Sequence, residues 1–123
     1  RLHNNPLGDA ALAQVCAALD GHSGLEVLGL ANTQAGAESA RALGRSLAGK
    51  AKLRTLGLQD NPLGDAALAQ VCAALDGHSG LEKLDLNNTQ AGAESARALG
   101  RSLAGKAKLR TLGLQDNPLG DAA

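Results

Sequence analysis

Between Leu53 and Gly80 the apolar positions change their spacing part-way along the chain. Leu53 is followed by Leu56 and Leu58, and the last two stand two apart, as in a strand whose alternate side chains face one core. After "DNPLG" the apolar residues recur as Leu68, Val71, Cys72 and Leu75, the i, i+3, i+4, i+7 stripe of an amphipathic helix. Asp65 lies in the first turn of that helix, where an anion suits the helix dipole, and Gly77 supplies a stop. The pattern predicts strand, turn, helix.

The same arrangement returns at residues 81–108, "LEKLDLNNTQAGAESARALGRSLAGKAK". Leu81, Leu84 and Leu86 stand where the first segment has Leu53, Leu56 and Leu58. Ala91, Ala96, Leu99, Gly100 and Leu103 replace Leu63, Leu68, Val71, Cys72 and Leu75. Two repeat types therefore alternate with a 28-residue period, and a pair makes a 56-residue unit. Residues 5–67 match residues 61–123 at 60 of 63 positions.

One strand–turn–helix unit cannot bury its apolar stripe alone, so neighbours must stack into a parallel sheet on one face and a row of helices on the other. Strands pair at about 4.8 Å whereas helices pack at about 8–10 Å, which bends the stack with its strands inside. The expected organisation is one repeat domain over residues 1–123, with repeats at about 1–24, 25–52, 53–80, 81–108 and 109–123, the outer two truncated.

"LRTLGLQDNPL" at 53–63 and 109–119 satisfies LxxLxLxxNxL and resembles the leucine-rich repeats. The 28-residue period, the two alternating types and "NPLGDAALAQVCAAL" are similar to the ribonuclease inhibitor class, with the repeats of NOD-like receptors next. The resemblance implies an α/β leucine-rich repeat solenoid, a horseshoe with a parallel concave sheet and convex helices. It also implies a concave strand face that grips protein ligands. In one repeat type the motif Asn is Thr33 or Thr89 and the following Leu is Ala35 or Ala91. Ala40, Ala96, Gly44 and Gly100 are small as well, and are expected to draw the helices of that type inward and tune the curvature.

The three differences between the units are Val27/Lys83, Gly29/Asp85 and Ala31/Asn87. They alternate with the strand leucines and so fall on the concave face. The candidate binding face is Val27, Gly29, Ala31, Thr55, Gly57, Gln59, Lys83, Asp85, Asn87, Thr111, Gly113 and Gln115. It is mostly small and neutral, and the chain has no Phe, Trp, Tyr or Met to anchor a partner. Ribonuclease inhibitors grip through aromatic and acidic side chains outside the matched motif, so ribonuclease binding is not carried over. Near-identity of the units points to a consensus-derived or designed scaffold, or a very recent duplication. Its expected role is architectural, with no natural ligand and with the varied positions free of structural constraint. The alternative is a protein-binding module using the concave face.

Twelve basic residues balance twelve acidic ones, which disfavours nucleic acid and anionic membranes as partners. No apolar run approaches a membrane span and no signal-peptide pattern opens the chain. Cys16 and Cys72 are equivalent residues two repeats apart and are expected to be free thiols, so a soluble, cytoplasmic-type location is the default. Glu26, Arg54, Glu82 and Arg110 are expected to form a cross-strand ladder of alternating sign. On the helices Asp9, Asp20, Asp65 and Asp76 should oppose Arg41, Arg45, Lys50, Arg97, Arg101 and Lys106.

Three short motifs look chemical and fail on context. "GRSLAGKA" at 44–51 and 100–107 approaches a phosphate loop but has Ala51 and Ala107 for the metal-binding hydroxyl and runs helix to strand. "CAALDGH" pairs a stripe cysteine with a His beyond the helix end, without further ligands nearby. "NNT" at 87–89 is a glycosylation sequon at a strand end. No enzymatic activity, cofactor, metal or small-molecule substrate is expected. The first and last repeats carry no polar cap, so Leu112, Leu114 and Leu119 and the free strand edge are expected to promote self-association.

Overall fold

The computed structural model describes residues 8–18, 24–47, 52–75, 80–103 and 109–118. Helices and strands alternate along it as α1 (Asp9–Ala18), β1 (Val27–Gly29), α2 (Ala37–Leu47), β2 (Thr55–Gly57), α3 (Asp65–Ala74), β3 (Lys83–Asp85), α4 (Ala93–Leu103) and β4 (Thr111–Gly113). The strands form one parallel sheet in chain order. Its register equals the sequence period, since Val27 pairs with Thr55, Thr55 with Lys83 and Lys83 with Thr111.

Leu56 and Leu84 are fully buried at the centres of their strands, while Thr55, Gly57 and Asp85 on either side are partly open. Three residues make a short strand, but the ladder continues on both sides. Arg54 N–H donates to the Glu26 carbonyl at 2.8 Å, and Leu58 N–H to the Asp85 carbonyl at 2.9 Å. Leu53, Leu58, Leu81 and Leu86 then point into the same core, each 0–1% exposed.

Gly64 precedes α3 with φ 84° and ψ 152°, a conformation that a Cβ would strain, and its carbonyl accepts the Leu68 N–H at 3.0 Å. The predicted stripe of Leu68, Val71, Cys72 and Leu75 is wholly buried. In α2 and α4 the buried face is built from Ala, Ser and Leu, with Ala42, Leu43 and Ser46 in α2 and Ala98, Leu99 and Ser102 in α4. A Cβ on Gly44 would stand 3.6 Å from the Gln70 carbonyl oxygen, so α2 and α3 pack closely there. The architecture is the α/β leucine-rich repeat solenoid, with the parallel sheet inside the arc and the helices outside.

Both cysteines are buried and neither is in a disulfide. Ion pairs join Glu26 to Arg54 at 3.7 Å and Glu82 to Arg110 at 3.8 Å, all four side chains substantially solvated. Leu112 is 36% exposed on the last described strand and Leu114 is half-buried. Among the described residues no helix is long and apolar enough to cross a membrane. Asp20, Lys50, Ala51, Asp76, Gly77, Lys106, Ala107 and Leu119, as well as the histidines, lie outside the described residues. Gly44 and Gly100 sit within α2 and α4, so neither opens a phosphate-binding loop.

Candidate functional site

The sheet face opposite the buried leucines carries the candidate residues. Around β1 and β2 these are Val27, Gly29, Ala31, Thr55, Gly57 and Gln59, all half-buried. Lys83, Thr111 and Gln115 are exposed, whereas Asp85, Asn87 and Gly113 are half-buried. A hollow of about 390 Å³ crosses the face, bounded by Val27, Ala31, Thr55, Gln59, Lys83 and Asp85.

Two of the three varied positions are fastened in place. The Asn87 N–H donates to Asp85 Oδ1 at 3.1 Å, and the Gln115 N–H donates to Asn87 Oδ1 at 2.7 Å. Both side chains lean over Gly113, where an added Cβ would meet each Oδ1 at 2.8 Å. Freedom from structural constraint was the expectation for all three. Among them Lys83 alone meets it, because Asp85 and Asn87 reach backbone N–H groups at the strand ends. One unit earlier Gly29 and Ala31 offer no such oxygens. There the Gln59 side chain lies over Gly57, and its buried Oε1 has no hydrogen-bond partner. The face thus combines an exposed ammonium at Lys83 with a carboxylate fixed at Asp85. Among the described residues no three His, Cys, Asp or Glu side chains gather as a metal would need.

The strongest polar contacts lie at the junctions between repeats. Asn61 is 1% exposed and reaches back from its own turn into the preceding one. Its Oδ1 accepts the N–H groups of Thr33 at 2.9 Å and Ala35 at 3.0 Å, and its Nδ2 donates to the carbonyls of Leu30 at 2.7 Å and Leu58 at 3.0 Å. Thr33 Oγ1 donates to the same Leu30 carbonyl at 2.8 Å. Asn117 repeats this clamp on Thr89, Ala91, Leu86 and Leu114.

The other junctions use Asp9 and Asp65. Asp65 is the first residue of α3, yet its Oδ1 accepts the N–H groups of Gly92 at 2.7 Å and Ser95 at 2.8 Å. Its Oδ2 accepts Glu94 N–H at 3.0 Å, so the carboxylate caps α4 rather than its own helix. Asp9 caps α2 in the same way through Gly36, Glu38 and Ser39. Glycine is required at 36 and 92, because a Cβ there would approach the Asp carboxylate to 2.9 Å. Burial pushes the Asp65 carboxyl upward, but the Ser95 side chain and the N–H groups of Ser95, Gly92 and Glu94 outweigh it and hold the pKa at about 2. Asp9 is lowered by the same balance. The expected meeting of these aspartates with helix arginines is therefore replaced by backbone capping, which supplies three aligned donors where an arginine would supply one solvated fork.

No protein-family model matches the chain, and no curated protein matches it in sequence. Among solved structures, leiomodin-1 actin-binding site 2 is similar, with a TM-score of 0.78 at 21% identity over 93% of this chain and 68% of that one. At that identity the likeness speaks for the shared fold and for nothing finer.

Proposed function

We propose that this chain is a protein-binding repeat module that presents its concave sheet to a folded partner. The observation that carries the reading is the location of the sequence differences. Two units otherwise identical over 63 aligned positions differ at three, and all three are on this face. There they add a cation and a carboxylate to the hollow that Gln59 also borders. A neighbour in fold whose name records actin binding supports a protein as the class of partner and makes actin the first one to try. Titration of purified proteins, actin first, into the chain and into its Lys83→Ala/Asp85→Ala variant provides the test. The reading expects a partner whose affinity falls at least tenfold, roughly 1.4 kcal/mol, in the variant. Binding of equal strength to both forms would place the ligand on another surface.

A second reading rests on the clamps. Near-identical units, a concave face without aromatics and a polar clamp at each described junction fit a consensus-derived or designed scaffold of the ribonuclease inhibitor class, one domain over residues 1–123 with an architectural role. It expects no specific micromolar ligand in the same titrations. Two buried cysteines outside any disulfide suit a reducing, cytoplasmic-type location under either reading.

A further inference from the structure

We propose that the convex groove between α3 and α4 is a docking site for an acidic peptide segment in extended conformation. The groove, of about 510 Å³, is lined by Ala69 and Ala73 of α3 and by Glu94, Arg97 and Arg101 of α4. It lies outside the arc, away from the varied strand positions, and so stands apart from any ligand of the concave face. Arg97 and Arg101 are both exposed. Among the described residues neither has a counterion, since the ion pairs there join Glu26 to Arg54 and Glu82 to Arg110. Asp65, the acid that the sequence sets opposite them, spends both carboxylate oxygens on the N–H groups of Gly92, Glu94 and Ser95. The cap therefore leaves two guanidinium groups unneutralised beside a groove walled by small side chains.

The arrangement does not belong to one end of the array. Helices α1 and α2 carry the same residues as Ala13, Ala17, Glu38, Arg41 and Arg45, each with the same degree of exposure as its counterpart. Helix α2 has a packed helix on either side, yet Arg41 and Arg45 stay exposed, so a following helix does not cover these arginines. Arg97 and Arg101 stand four residues apart on α4, a rise of about 6 Å. Alternate residues of an extended chain are about 6.6 Å apart, so carboxylates at i and i+2 of a segment laid along the groove reach both arginines. Each guanidinium can take a carboxylate through two parallel N–H donors. Glu94, three residues before Arg97, repels a further acid at that end and sets the acidic part of the segment over the C-terminal half of α4.

Fluorescence anisotropy of a labelled peptide of alternating Glu and Ser, titrated with the whole chain up to about 1 mM, tests the proposal. Saturable binding is expected at an ionic strength of about 0.01 M, and weaker binding at about 0.15 M, where charges are screened over a shorter range. The variant Arg41→Ala/Arg45→Ala/Arg97→Ala/Arg101→Ala keeps strong helix formers at all four positions and is expected to bind at least tenfold more weakly, roughly. Lys52→Ala/Arg54→Ala/Lys108→Ala/Arg110→Ala removes the same charge from the positions before β2 and β4 and is expected to keep most of the affinity. Arg97→Ala/Arg101→Ala leaves the α1–α2 groove intact and should bind half as many peptides as the wild type, which decides the matter should the fourfold arginine variant lose its helical circular dichroism. A wild type that does not bind, or an equal loss in the two fourfold variants, which would mean charge attraction alone, overturns the proposal. So does an undiminished stoichiometry in Arg97→Ala/Arg101→Ala.

Discussion

Asp65 opens α3 but caps α4, its Oδ1 accepting the Ser95 N–H at 2.8 Å from thirty residues away. Asn61 works in the opposite direction and ties its turn to the Thr33 N–H of the repeat before it. The Asp clamps hold Asn-bearing repeats to the Thr-bearing repeats that follow, and the Asn clamps hold Thr-bearing repeats to the Asn-bearing ones that follow. Each residue type fits one side of one junction, since Ala37 and Ala93 occupy the helix position that is Asp in the other repeats. Thr33 and Thr89 are shorter than Asn and satisfy their own turn, leaving their N–H groups to the neighbour. The alternation of repeat types is therefore a pair of complementary polar contacts.

Removing the cap should loosen one junction. Asp65→Ala leaves three N–H donors at the start of α4 without their acceptor and is expected to cost about 1–2 kcal/mol. Asp65→Asn keeps one acceptor oxygen and should cost less. Urea unfolding of the two variants beside wild type measures both, and an Ala variant as stable as wild type would discard the cap.

The same carboxylate gives a pH signature. Its folded pKa of about 2 lies below the ordinary 3.8, so its stabilisation is complete above the ordinary value and is lost as pH falls toward about 2. Stability measured from pH 6 to pH 2 should decline through that window, and less steeply in Asp65→Asn. Parallel curves would show that other carboxylates carry the acid sensitivity.

Asn61 should be the costlier clamp to lose. Asn61→Ala strands two buried N–H groups and takes a donor from two carbonyls, and a loss of about 3–5 kcal/mol is expected. Asn117, its half-exposed counterpart, should cost distinctly less on the same substitution because water can reach the freed groups. Equal losses would mean that burial is not what distinguishes them.

Two glycines near α4 should respond with opposite sign. Gly100→Ala adds a helix-favouring methyl in open space and is expected to stabilise by about 0.5–1 kcal/mol. Gly92→Ala drives a methyl to within 2.9 Å of the Asp65 carboxylate and should destabilise. Thermal melts of the pair check the signs. The solvated Glu26–Arg54 pair, by contrast, should contribute less than about 1 kcal/mol in a double-mutant cycle.

The strand leucines and the Leu68–Leu75 stripe were legible in the sequence because burial imposes their spacing within a single repeat. The clamps were not. Asp65 reads locally as a first-turn anion serving its own helix, and only the stacking distance between α3 and α4 sends it to Ser95 instead. Thr33 and Thr89 read as lapses from the Asn motif until Asn61 and Asn117 are seen reaching into their turns. Asn87 reads as free to vary, since nothing within its own strand shows that its Oδ1 will meet the Gln115 N–H.

Amide hydrogen exchange by NMR on Asp65→Ala tests the alternating clamps most directly. The account predicts that Gly92, Glu94 and Ser95 lose protection while Thr33 and Ala35, held by Asn61, and Gly36 and Ser39, held by Asp9, keep theirs. Unchanged protection at Gly92 and Ser95, or an even loss across all of these amides, would contradict it.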